Sequence, residues 1–279
     1  MPLAFGGIGL GVLIGYPMGG AAYQTLGKTA PFIFIAIVIT FNIVLQLVFL
    51  QEEDEYVHQS TIGRSYGECL GLLRDNRILL VTITICVCTS TMAILEPCVP
   101  IWLLGKMDPP PSKWQLGAIF IPDSIGYFLG CNFTGLLPAK PWRMAFCALV
   151  MSGLSCCFLP LANTISQLSL PHFCIGLGVG MADAALVPML ASLADRMGAG
   201  GDYGPIYALQ QASVAVAYSL GPLLAGQAVH LIGFLWAMRI AGFIDLVMCP
   251  FMVELSYDED LEDKKVPLKA TVAPYYSST

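Results

Sequence analysis

Runs of about twenty apolar residues follow one another along almost the whole chain, from PLAFGGIGLGVLIG at one end to LIGFLWAMRIAGFIDLVMCPFMV near the other. Each run is long enough to cross a membrane as a helix. Backbone N–H and C=O groups in hydrocarbon must pair internally, and a helix pairs them within one segment. Charged residues make up only 11% of the 279 and hydrophobic ones 56%. Soluble domains carry about 25% charge, so a separate soluble domain is excluded. The sequence has no basic stripe of the kind that binds nucleic acid.

Eight helical spans follow, at 3–25, 30–50, 78–104, 115–138, 144–164, 170–194, 204–227 and 231–254. The connections are short except for residues 51–77, a polar loop that separates two spans from six. Within it GECLGLL is weakly amphipathic and suits a membrane surface. Residues 256–279 are polar and are expected to be disordered. The positive-inside rule sets the orientation. Arg64, Arg74, Arg77, Lys140, Arg143, Arg196, Lys264, Lys265 and Lys269 fall on one side; Lys28, Lys106 and Lys113 fall on the other. The first side, with both termini, is therefore expected to be cytosolic. No basic start precedes the first apolar run, so no cleaved leader is expected. The ten cysteines lie mainly in apolar runs without zinc spacing, and are read as packing residues rather than disulfides or metal ligands.

A short internal repeat organises these spans. GYPMGGAAYQTLG in the first matches LGPLLAGQAVHLIG in the seventh, aligning Gly20 and Gly27 with Gly226 and Gly233, and Ala22 with Ala228. Pro17 and Pro222 precede the two copies. If spans one and seven are equivalent, residues 1–50 are the last two helices of one six-helix half and 78–255 the whole of the other. Transporters made of two parallel halves have that plan.

Function is announced by acids inside apolar runs. Glu96 stands in MAILEPCVPIW and Asp183 in GVGMADAALVPML. A carboxylate at mid-membrane costs about 2.5–3.5 kcal/mol on insertion scales, and such groups face a cavity or a proton path. Pro97 and Pro100 beside Glu96, and Pro188 beside Asp183, mark helix kinks suited to a gate, as do Pro17 and Pro222. The competing reading of each acid is a structural hydrogen bond between helices. Asp123, after Pro122, reads as a site acid or as a cap of a broken helix. Asp245 lies six residues from Arg239, off one helix face, so that pair is a poor match. Arg239 suits snorkelling to the interface. Trp102, Phe120, Tyr127, Tyr207 and Tyr218 are candidates for cation–π contacts with an organic cation. Gln210 and Gln211 are uncharged polar residues within a span.

AILEPCVPIW, KWQLGAIFIP, GVGMADAALVPML and DYGPIYAL together with AYSLGPLLAGQAVHLIGF resemble the vesicular monoamine and acetylcholine transporters, a family of the major facilitator superfamily. The resemblance covers nearly everything but the central loop and tail. It implies an all-α, partial major facilitator fold, with about eight transmembrane helices corresponding to helices 5–12 of twelve. It implies a multi-pass protein of secretory or synaptic vesicles that exchanges lumenal protons for a small cationic amine, driven by the proton gradient and without a cofactor. Glu96 and Asp183 fall at the family's proton-coupling and substrate-binding acids. Trp102, Phe120, Tyr127, Tyr207 and Tyr218 match aromatics around its substrate cavity. AILEPCVPIW leans to the monoamine branch and AYSLGPLLAGQAVH to the acetylcholine branch, with monoamine favoured overall.

Several positions depart from the family. Gln211 replaces an acid that pairs there with a lysine of the second helix, which this chain lacks. Asp108 stands where a lumenal-loop cysteine is expected, and the acid of the family's first helix is absent along with its first four helices. Asp123 is an additional acid. A second reading is therefore a truncated, non-transporting membrane protein that partners a full-length transporter or forms an oligomer.

Overall fold

The computed structural model describes residues 2–49, 71–196 and 203–263. Helix covers most of every stretch read as a span: α1 (Pro2–Leu26), α2 (Ala30–Phe49), α3 (Asn76–Lys106), α4 (Lys113–Ala118), α5 (Ile121–Phe133), α6 (Pro141–Phe158), α7 (Ile165–Arg196) and α8 (Gly204–Asp263). Among the described residues no strand occurs. Single 3₁₀ turns, Thr134–Leu136 and Leu159–Leu161, close α5 and α6.

Six stretches of the described residues are long and apolar enough to cross a membrane; α1, at 25 residues and rich in glycine, falls outside that set. The last of the six, Gly204–Leu255, has 52 residues. At 1.5 Å per residue that is about 78 Å, far beyond a hydrocarbon core of about 30 Å. Gly233 resolves the excess. Its backbone turns to φ 81°, ψ 160°, a region open in practice only to glycine, and divides α8 into two crossings. Gly27, at φ 90°, takes the corresponding place between α1 and α2. These are the two positive-φ residues among the described ones, and they are the pair that the internal repeat aligns.

Local chemistry sets the other boundaries. Asp75 caps α3, its Oδ1 accepting from the backbone N–H of Arg77 at 2.8 Å and of Ile78 at 3.2 Å. Ser112 opens α4 with a capping box, and its own N–H donates to Gln115 Oε1 at 2.8 Å. Pro122, lacking an N–H, interrupts the helical ladder where α4 gives way to α5. At the far end α8 continues to Asp263, past the boundary at residue 256 expected for a disordered tail. Residues 51–70 and 264–279, most of the central loop and the rest of the tail, lie outside the described residues.

The core is built from α3, α5, α6, α7 and α8. Ile85, Leu95, Leu149, Ile175, Leu186 and Met189 fill it and are essentially fully buried. The closest approach is between α5 and α7, where four glycines meet facing backbone. A Cβ on Gly126, Gly176 or Gly180 would run into the opposite helix, and one on Gly130 would lie 2.6 Å from the Leu177 carbonyl oxygen. α1 packs along α4 and α5, whereas α2 buries no residue.

Candidate functional site

Glu96 stands on α3, followed by Pro97 and, one turn on, Pro100. Because Pro100 has no N–H, the Glu96 carbonyl has no helical partner there, which leaves a polar backbone oxygen on the same residue as the carboxylate. The Glu96 carboxylate is itself well served. Oε1 accepts from the Tyr16 hydroxyl of α1 at 2.6 Å and from the Tyr218 hydroxyl of α8 at 3.1 Å. Charge-assisted bonds of this kind are about twice as strong as neutral ones. One oxygen therefore joins three helices.

Asp183 is placed by the glycine seam. Gly180 lets α7 lie against the Tyr127 backbone of α5. Three residues further, Asp183 Oδ2 accepts from the Tyr127 hydroxyl at 2.9 Å. The two acids, with Tyr127 and Tyr218, open on one cavity of about 130 Å³ between α1, α3, α5, α7 and α8. Glu96, Tyr127, Asp183, Gln211 and Tyr218 all line it, with Gln210 beside them. Thr89 and Met92 of α3 and Val12 of α1 complete its wall. The arrangement can hold a small cation: two carboxylates from different helices, aromatic faces, and a neutral amide.

Three of the sequence candidates lie elsewhere. Trp102 is six residues past Glu96, about 9 Å along the helix and on a different face. It stacks on Phe234 at 4.4 Å and 15°, while Lys106 Nζ sits 4.5 Å from its ring and donates to the Ala162 carbonyl at 2.6 Å. Those contacts tie the end of α3 to the second arm of α8 and to the turn after α6. Phe120 is buried between the ring of Tyr16, at 4.9 Å, and that of His172, at 5.6 Å. Tyr207 is one turn before Gln211 and lines a second cavity of about 450 Å³. Cys131, Ala184, Pro188 and Asp195 share that cavity. Cys131 is one turn from Tyr127 and Ala184 follows Asp183, so the second cavity leads away from the acids toward the Asp195 end of α7. Pro17, Pro97, Pro100, Pro188 and Pro222 all lie inside helices.

Asp245 is fully buried and turns away from Arg239. Its Oδ2 accepts from Thr91 Oγ1 at 2.9 Å and Ser152 Oγ at 3.0 Å, while the Arg239 guanidinium lies 5.2 Å from the Trp236 ring. Asp123 does not cap α5: the cap residue is Phe120, without a side-chain bond. Sequence reading passed over Tyr16, although it holds the shorter bond to Glu96. Its signal was slight, a single aromatic ahead of Pro17 in a run of glycines.

The family profile of the Major Facilitator Superfamily matches residues 2–201. The chain is 35% identical to the synaptic vesicular amine transporter of Bos taurus over 266 residues, 95% of this chain and 50% of that protein. It is 35% identical to the chromaffin granule amine transporter of Rattus norvegicus over 270 residues, 96% of this chain and 50% of that one. With the vesicular acetylcholine transporter of Torpedo marmorata it shares 31% over 258 residues, 91% of this chain and 49% of the relative. The chain spans about half the length of these curated relatives.

Proposed function

The chain belongs to the Major Facilitator Superfamily, and on that footing we propose that it serves as a proton-coupled antiporter loading a cationic amine neurotransmitter, a monoamine before acetylcholine, into secretory or synaptic vesicles. The observation that carries this reading is the shared cavity of Glu96 and Asp183. Among the described residues each carboxylate is held by tyrosine hydroxyl rather than by a fixed cation. An ammonium entering the cavity exchanges those bonds for an ion pair, with the Tyr127 and Tyr218 rings in reach for cation–π contact. Protons from an acidic lumen then neutralise the carboxylates, and the amine loses its counter-charges and leaves. Alternating access requires the helices around the cavity to part on one side at a time. The second cavity, running to Asp195, is the cytosolic approach in this reading, since the Arg196 end of α7 falls on the basic side. The monoamine preference draws on 35% identity to the amine transporters against 31% to an acetylcholine transporter.

Uptake of labelled amines into acidified vesicles from cells expressing the chain tests this. Uptake is expected to collapse when the pH gradient is dissipated, and to be lost in Glu96→Gln and Asp183→Asn. Normal gradient-driven uptake by both variants would overturn the roles given to these acids.

One observation favours a second reading, a non-transporting partner of a full-length transporter. Gly7, Gly11, Gly15 and Gly19 form a stripe on α1 with nothing within 4 Å of their Cβ positions, beside an apolar groove against α2. Stripes of small residues let membrane helices pack closely. Co-purification with a full-length transporter supports this second reading, and a strictly monomeric chain counts against it.

A further inference from the structure

Asp123 has no part in the cavity just described, yet it is built into the same region. It stands in the first turn of α5, 3% exposed, and its Oδ1 is sealed from solvent without a hydrogen-bond partner. The helix cap is taken by Phe120, so Asp123 is not engaged in capping. α7 lies flush on this turn, because a Cβ at Gly176 would run into the Asp123 carbonyl oxygen. Among the described residues, no three His, Cys, Asp or Glu side chains gather as a metal site would need.

An ionised carboxylate so placed carries a desolvation cost of several kcal/mol with little to offset it. The smallest cation that removes the cost is a proton, which needs no room. The surroundings give that proton a consequence. Phe120, three residues before Asp123 in the chain, packs its ring 4.9 Å from that of Tyr16, and Tyr16 and Tyr218 are the two hydroxyls that hold Glu96. The titratable groups on this network are Tyr16 from α1, Glu96 from α3 and Tyr218 from α8, with His172 from α7 against Phe120. His172 is fully buried, edge-on to Phe120 at 5.6 Å, with its Nε2 unpartnered. It supplies no hydrogen bond to the Asp123 oxygen.

We propose that Asp123 is a proton-binding carboxyl coupled through space to Glu96, so that the two share charge: while one is ionised the other holds a proton. Two carboxyls in one weakly polar site do not both ionise readily, and their protons come and go as a pair. The site deepens the function proposed above, on which its place in a transport cycle rests. When an amine or a proton neutralises Glu96, the restraint on Asp123 is relieved. The third carboxyl then exchanges a proton without touching substrate.

pH-difference infrared spectroscopy of the purified chain in nanodiscs, with carboxyl-¹³C aspartate, reads this directly through the C=O stretch of protonated carboxyls. A protonated aspartate band is expected that Asp123→Asn removes. In Glu96→Gln the same band is expected to persist and to titrate over a pH range displaced by about one unit or more, while the Asp245 band stays in place. Should Asp123→Asn fail to fold, the comparison of Asp183→Asn with Asp183→Asn/Glu96→Gln decides instead. One remaining aspartate band must then move with the loss of Glu96. Survival of every aspartate band in Asp123→Asn, or indifference of all of them to Glu96→Gln, would overturn the proposal. The spectra are taken without substrate, so a failure of amine uptake leaves this result standing, and a failure here leaves the uptake test untouched.

Discussion

The Tyr16 hydroxyl donates to Glu96 at 2.6 Å, joining a helix from before the central polar loop to one from after it. Tyr218 reaches the same oxygen at 3.1 Å, from a site that is 40% exposed. A bond to a charged group contributes about 1.5–3 kcal/mol. Tyr16→Phe is therefore expected to lower the thermal stability of the purified chain more than Tyr218→Phe does. In a double-mutant cycle with Glu96→Gln, the coupling should be larger for Tyr16. Equal and negligible couplings would show that the hydroxyls do not hold the helices together.

The α5–α7 seam makes a sharper claim. Gly176 and Gly130 face backbone that cannot yield, whereas Gly11 and Gly15 have nothing within 4 Å of their Cβ positions. Gly176→Ala should cost about 3 kcal/mol or more, or abolish the folded protein, because overpacking against a rigid neighbour costs about 1–3 kcal/mol even where side chains can shift. Gly11→Ala and Gly15→Ala should be neutral or slightly stabilising, since a helical alanine is favoured over glycine by about 0.5–1 kcal/mol. Size-exclusion profiles and melting curves of the three variants check the contrast.

Much of this was written in the sequence, for definable reasons. Apolar runs twenty residues long leave the backbone little choice but helix, and helices formed over each of them. The Gly27–Gly233 match was legible because a positive φ demands glycine, so a turn shared by two copies leaves the same letter in both. Glu96 and Asp183 stood out because charge in an apolar run is costly. What the sequence withheld was which faces meet. Trp102 and Glu96 share a helix but not a side, and Phe120 was claimed by Tyr16 and His172 through packing that no spacing on α5 encodes. The bond from Tyr16 to Glu96 spans eighty positions. Polarity misled at the end of α8, where SYDEDLED reads as a solvated tail but continues the helix.

Gly233 carries the turn inside α8, at φ 81°, ψ 160°. Residues forced into such backbone cost about 1–3 kcal/mol. Gly233→Ala is expected to destabilise by that amount although nothing lies within 4 Å to clash with the new methyl. Asparagine should not rescue it, because its tolerance is for the left-handed helical region near ψ 45°. Gly226→Ala, equally unobstructed, serves as the control and should leave the melting temperature within about 2 °C. Matching losses at both positions would mean the turn is not set by backbone conformation.

Asp245 ties α8 to α3 and α6 through a single oxygen, with Thr91 at 2.9 Å and Ser152 at 3.0 Å, while its Oδ1 has no partner. Close approach of α6 and α8 makes this possible: a Cβ on Gly153 would lie 2.7 Å from the Gly242 carbonyl oxygen. Asp245→Asn keeps an acceptor for both hydroxyls and should change stability by less than about 1 kcal/mol. Asp245→Ala leaves two buried hydroxyls without a partner and should cost about 2–5 kcal/mol, since each unsatisfied group costs about 1–3 kcal/mol and a void is added. Thr91→Val removes one donor and should fall between them. If the polar knot is purely structural, the ratio of amine uptake to folded protein stays constant across the three variants. A fall in that ratio in Asp245→Asn, with stability intact, would move Asp245 from the scaffold into the transport machinery.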